Sequence, residues 1–164
     1  MKIDFIDNNL IVFFNDKFFS NVNFSNKSHM EKYFMDLFSK LNENYNLGMC
    51  GSYNIDVFVD DKCGMVLKIV KDDIDYYDYY NDIVDIKVSI SKFNKFLFKL
   101  NGDIGKIINK CHVYLFDGDL YLEPYDVNFY ELGVILENCE LFYGNESYDI
   151  KLRSKEISDF IFID

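Results

Sequence analysis

Two short apolar runs open the chain, residues 1–6 and 10–14, separated by Asp7-Asn8-Asn9. Turn residues between β-rich runs predict a hairpin. Residues 17–24 carry no clean period and read as loop or irregular strand. From Ser28 the period changes to helical. Ser28 and Glu31 form an S-x-x-E capping box, and Met30, Tyr33, Phe34, Leu37, Phe38 and Leu41 follow on one apolar face, so a helix is predicted to near Asn44. Gly48 and Gly51 break the chain. Tyr53, Ile55, Val57 and Val59 then alternate with Asn54, Asp56 and Phe58, the mark of a half-buried strand. Turn chemistry at 60–64 returns it as a second strand over 65–70.

The second half is patterned more finely. Val84, Ile86, Val88 and Ile90 alternate strictly with polar residues and predict a strand over 83–90. Residues 96–100 predict another, and 103–110 a short helix with Ile104, Ile107 and Ile108 inward. Asp117-Gly118 sits between apolar runs at 112–116 and 120–123, the strongest short-range hairpin signal, because a type I′ turn needs positive φ at both central residues. Asn128 and Glu131 cap a second long helix, with Phe129, Leu132, Ile135, Leu136 and Cys139 inward and Gly144 placed to end it. Residues 148–152 and 160–163 read as short strands. The fold class is α+β: antiparallel sheets with two main helices. The sheets form either two small units or one sheet that continues through the middle of the chain. As two units, the division is 1–71, an acidic Tyr-rich linker at 72–82, and 83–164.

Composition bounds what such a fold does. At 164 residues the chain has room for one ordinary domain or two very small ones. Its net charge is −11. Uniform acidity repels phosphate backbones, so direct nucleic-acid binding is not expected. No apolar stretch approaches the roughly 18 residues of a membrane span, and Asp4 and Asp7 interrupt any signal-peptide pattern. A cytoplasmic setting is expected. Cys50, Cys63, Cys111 and Cys139 form no CxxC pair and, with only His29 and His112 beside them, no zinc spacing. They read as free thiols, mostly in the core. No metal or cofactor is expected.

Enzymatic motifs are missing: there is no glycine-rich phosphate loop and no G-x-S-x-G. Cys111 and His112 are adjacent, and neighbours in a strand point to opposite faces, so they do not make a catalytic pair there. The chemistry concentrates at 71–82, KDDIDYYDYYND. Asp72, Asp73, Asp75 and Asp78 lack the glycine and position-12 glutamate of an EF-hand and read as solvated charge. Tyr76, Tyr77, Tyr79 and Tyr80 are too apolar for a plain linker: they pack on a sheet or bind a partner. These eight residues are the candidate partner-binding site.

The first 71 residues resemble the N-terminal domain of the MecA adaptor family. MKIDFID and LIVFF match its two opening strands, Tyr33-Phe34-Met35-Asp36-Leu37-Phe38 its helix, and GSYNIDVF and GMVLKIVK its following hairpin. Gly51, Ile55, Val57, Gly64, Met65 and Lys71 carry the match. Downstream, 96–100, 103–110 and VYLFDGDLYLEP resemble the family's C-terminal domain, while 83–90 has no counterpart. The resemblance implies a non-enzymatic adaptor. One half binds a client protein and the other a Clp-type AAA+ unfoldase. The alternative is a small acidic interaction or inhibitor module that mimics nucleic-acid charge.

Overall fold

In the computed structural model, which describes residues 2–6, 9–15, 26–46, 51–72, 84–91 and 94–157, the chain builds two five-stranded sheets with helices: an α+β fold. The predicted runs at 17–24 and 160–163 lie outside the described residues. Two compact units result. The first comprises Met1–Val57 and Met65–Ile90, the second Phe58–Gly64 and Ser91–Asp164.

The first unit begins with β1 (Lys2–Ile6) and β2 (Asn9–Phe14), an antiparallel pair that places Phe5 opposite Leu10. Helix α1 (Lys27–Tyr45) follows, then β3 (Gly51–Asp60) and β4 (Gly64–Lys71), and the sheet closes with β5 (Val84–Ser91). The strand order is β1-β2-β4-β3-β5. Strand β5 therefore hydrogen-bonds to β3 at the edge of the first sheet. The boundary expected before residue 83 is displaced, because β3 offered an open edge and β5 alternates in the way an edge strand with one covered face requires. Strands β2 and β4 are buried almost throughout, while β3 alternates buried and half-buried residues. Helix α1 buries Phe34, Phe38 and Leu41, and the Phe38 ring meets Tyr53 edge-on at 5.0 Å.

The cap of α1 differs from the sequence reading. The capping residue is Asn26, whose Oδ1 accepts the His29 N–H at 3.1 Å, and Ser28 is already helical. Both are strong cap residues. Starting at Asn26 extends the helix by two residues, and at its far end Asn46 adopts the left-handed conformation that asparagine tolerates.

The second unit is formed by β6 (Leu97–Leu100), a 3-10 helix (Gly105–Lys110), β7 (Cys111–Phe116), β8 (Asp119–Pro124), α2 (Phe129–Asn138), β9 (Cys139–Phe142), α3 (Gly144–Arg153) and β10 (Lys155–Ile157). The order is β10-β7-β8-β6-β9, with every adjacent pair antiparallel. The β7–β8 turn has Asp117 at φ 50° and Gly118 at φ 87°, both positive as a type I′ turn demands. The capping box of α2 is complete. Asn128 Oδ1 accepts the N–H groups of Tyr130 and Glu131, and Glu131 Oε2 accepts the Asn128 N–H at 2.9 Å.

Two expectations fail at the end of α2. The helix stops at Asn138, and Cys139–Phe142 leaves it as strand β9, paired with β6. Cys139 lies four residues after Ile135, so it fits a helical stripe as well as a strand face. The open edge of β6 decides for the strand. Gly144 then opens a third helix, where the sequence placed a helix end and a strand over 148–152. YDIKL alternates like a strand, but only Ile150 of its apolar residues is buried; Tyr148 and Leu152 face out at 63% and 67% exposure. A helix buries one such residue, a strand all three. Gly144 has φ +64°, and a Cβ there would come within 2.8 Å of the Phe58 ring, so only glycine fits.

Helices cover both faces of this sheet. On one face Leu97, Tyr114 and Tyr121 pack with Ile150 of α3, flanked by Phe116 and Phe142. The alternate residues Phe98, Val113 and Leu122 are buried on the other face. There the 3-10 helix lies against β7, and α2 against β6 and β9. The tip of the β3–β4 hairpin belongs to this unit too. Asp60 is only 2% exposed, and its carboxylate accepts the backbone N–H groups of Lys62, Cys63 and Phe96 at 2.8, 3.0 and 2.8 Å.

Candidate functional site

An open groove of about 700 Å³ runs along α3 in the second unit. Helix α3 lines it with Ser147, Tyr148, Lys151 and Leu152, which recur at the three- and four-residue spacing of one helical side. Asn94 and Lys95, just before β6, form the opposite rim. The Asn94 N–H donates to Val59 O at 3.1 Å and its side-chain amide to Ser91 O at 2.7 Å, so Asn94 is held through both its backbone and its side chain. The first turn of α3 carries no side-chain cap, and the Ser147 hydroxyl donates to Gly144 O.

Lys151 ties the groove to a charged network on β7 and β8. Glu123 on β8 has a side chain only 13% exposed. It accepts hydrogen bonds from the Lys151 ammonium and, at 3.0 Å, from the Tyr114 hydroxyl. Lys151 also sits 5.4 Å from the centre of the Tyr114 ring, a cation–π contact. Burial alone would push the Glu123 carboxyl up. The Lys151 hydrogen bond and charge, the Tyr114 hydroxyl and the nearby Lys95 charge outweigh it, and the group is held below its ordinary 4.5. The Tyr114 hydroxyl is pushed above its ordinary range, first by burial and then by the adjacent Glu123. The network is thus a fixed anion and a neutral phenol that tether Lys151, the one of the three that lines the groove.

A lowered carboxylate stabilises the folded state above its unfolded pKa, and that contribution is lost as pH falls through the folded value. Glu123→Gln is therefore expected to destabilise the second unit by about 1–2 kcal/mol at neutral pH. The gap to the wild type should close as pH drops below 4.5. Urea titrations of both proteins at neutral and acid pH measure it; a gap independent of pH would refute the assignment. Glu131 is also held low, first by its Lys110 hydrogen bond, but it is common to both proteins and drops out of the difference.

The residues singled out from sequence lie elsewhere. Asp72 is half-buried at the end of β4, and its backbone N–H donates to Ser52 O at 2.9 Å. Asp73, Asp75, Tyr76, Tyr77, Asp78, Tyr79 and Tyr80 lie outside the described residues. Cys63, Cys111 and Cys139 are free and buried, and burial raises all three thiols, Cys111 to about 12. They are not thiolates at neutral pH. Cys111 and His112 do lie on opposite faces: the thiol reaches Ile107 O at 3.6 Å, while the half-exposed imidazole contacts Glu156 at 3.1 Å and the Tyr125 ring. Among the described residues no three His, Cys, Asp or Glu side chains gather as a metal site would need, and no helix is long and apolar enough to cross a membrane.

Sequence reasoning missed the groove because it missed α3. Lys151 and Leu152 read as the two faces of a strand, and nothing local pairs Lys151 with Glu123, 28 residues earlier. Compared with protein-family models, curated proteins and solved structures, the chain matches none.

Proposed function

We propose that this protein is a non-enzymatic cytoplasmic adaptor of the MecA kind, which joins a client protein to a Clp-type AAA+ unfoldase. The observation that supports this reading most is the division into two α+β units, each with its own five-stranded sheet. An adaptor needs two surfaces that bind different partners, and separate sheets supply them. The elements that carry the resemblance also fall in the expected order: β1, β2, α1, β3 and β4 in the first unit, then β6, the 3-10 helix and the β7–β8 hairpin in the second. Strand β5 is an addition to the resembled pattern. Tethering acts through effective concentration, raising the client's local level at the unfoldase pore without chemical work by the adaptor.

Affinity capture with the purified, immobilised protein from a Gram-positive bacterial lysate tests the proposal. A Clp-family ATPase is expected among the retained proteins, and the protein should accelerate client degradation when added to that ATPase and its peptidase. Retention of no Clp-family ATPase would sink the reading.

A further inference from the structure

We infer that the α3 groove is a docking site for an acidic segment of a partner protein, one that presents carboxylates beside apolar side chains. The inference rests on reading the chain as a protein-binding module, but not on the identity of any unfoldase.

Charge carries the argument furthest. In a chain of net charge −11, the ionisable side chains that line this groove among the described residues are Lys95, Lys151 and the phenol of Tyr148. Lys151 is balanced by Glu123. Lys95 is exposed and makes no ion pair within the described residues. The groove thus offers two cations against the single carboxylate of Glu123, a local positive excess in a chain of net charge −11. A carboxylate-bearing chain finds its complement here.

The apolar half of the argument comes from α3 itself. Tyr148 and Leu152 are four residues apart, lie on one side of the helix, and remain 63% and 67% exposed while Ser147 and Ile150 are buried. Large apolar side chains exposed beside a cationic rim give a partner both area and orientation. The shape selects the class of ligand. Small-molecule sites enclose about 70–90% of their ligand. This groove opens to solvent and borders the exposed Tyr148 and Leu152, so it fits a stretch of polypeptide laid across it. The exposed pair Tyr148 and Leu152 favours a polypeptide, whose apolar side chains can cover them, over a nucleic-acid backbone, which offers none.

Fluorescence anisotropy with the purified full chain tests the site. The probe is a labelled peptide, DLDDLLDLDD, and the control is its counterpart with Lys in place of Asp. Saturable binding of the acidic probe is expected, with the basic control weaker by about tenfold or more. Lys95→Glu and, separately, Leu152→Asp should each weaken the probe by about tenfold; both side chains are exposed, so folding tolerates the changes. Absence of saturable binding, equal binding of the two peptides, or indifference to both substitutions would overturn the inference. Tighter binding by DDIDYYDYYND, the chain's own acidic stretch, would also overturn it by assigning the groove to this chain itself. A protein that binds the probe but captures no Clp-family ATPase keeps the groove and loses the adaptor reading.

Discussion

Asp60→Ala is expected to remove about 3–4 kcal/mol from the stability of the second unit. The side chain is 2% exposed and accepts three backbone N–H groups, two from its own turn and one from Phe96. Hydrogen bonds to a carboxylate are stronger than neutral ones, and the cost of losing them is dominated by donors left buried without partners. Alanine strands the two buried donors, the N–H groups of Cys63 and Phe96, and releases the part-exposed Lys62 N–H to solvent. The Phe96 N–H is the most exposed to this penalty, because Phe96 is itself fully buried. Asp60→Asn separates the contributions. Its amide oxygen can still serve the turn, but its NH₂ group then faces the Phe96 N–H, donor against donor, and a loss of about 2 kcal/mol is expected. Urea unfolding followed by circular dichroism measures both. A loss below about 1 kcal/mol for the alanine variant would show that Asp60 is not the tie between the hairpin tip and β6.

Phe98→Ala should cost about as much or more, about 3–5 kcal/mol. Phe98 is fully buried on β6, opposite Leu122 on β8 and Leu141 on β9, in the interior of its sheet. Removing the ring loses its transfer free energy and leaves a cavity that two flanking strands cannot close. Phe129 supplies the control. Its place in the sequence pattern puts it on the inner face of α2, yet it is 51% exposed and touches the Tyr130 ring edge-on. Phe129→Ala should change stability by no more than about 0.5 kcal/mol. Equal losses for the two substitutions in the same urea assay would contradict the burial of Phe98 and the exposure of Phe129 alike.

The contrast between these phenylalanines shows where local pattern stops being informative. Asn128 and Glu131 were legible as a capping box because both partners lie within one turn. Asp117-Gly118 was legible because the backbone conformation it needs is set by those two residues alone. The strands over Val84–Ser91 and Leu97–Leu100 were legible as strands, but their sheet was not. Register with β3 or with β8 and β9 depends on which edges remain open after collapse. The expected partner-binding residues illustrate a different limit. Composition marked Asp72 to Tyr80 as chemically distinctive, and of these only Asp72 is among the described residues, where its backbone is tied to Ser52.

The groove was the least legible feature. It needs Lys95, Lys151 and Leu152 on one surface and Glu123 paired with Lys151, four residues from three separate parts of the chain. YDIKL carries two periods at once. Alternation favours a strand, while the pair Tyr148 and Leu152 at four-residue spacing fits a helix equally. Packing of Ile150 against Leu97, Tyr114 and Tyr121 resolved the ambiguity, and with it the direction in which Lys151 points.

By itself the sequence determined the α+β class, the hairpins, α1 and the capped start of α2, since each follows from hydrophobic period or turn chemistry within a few residues. Tertiary structure decided the rest. It assigned β5 to the first sheet, turned Cys139–Phe142 into a strand and residues 148–152 into helix, and buried Asp60 as the anchor of a hairpin tip. Each of these choices depends on burying apolar surface and satisfying polar groups against residues far away in the chain, and that information is held in no local window.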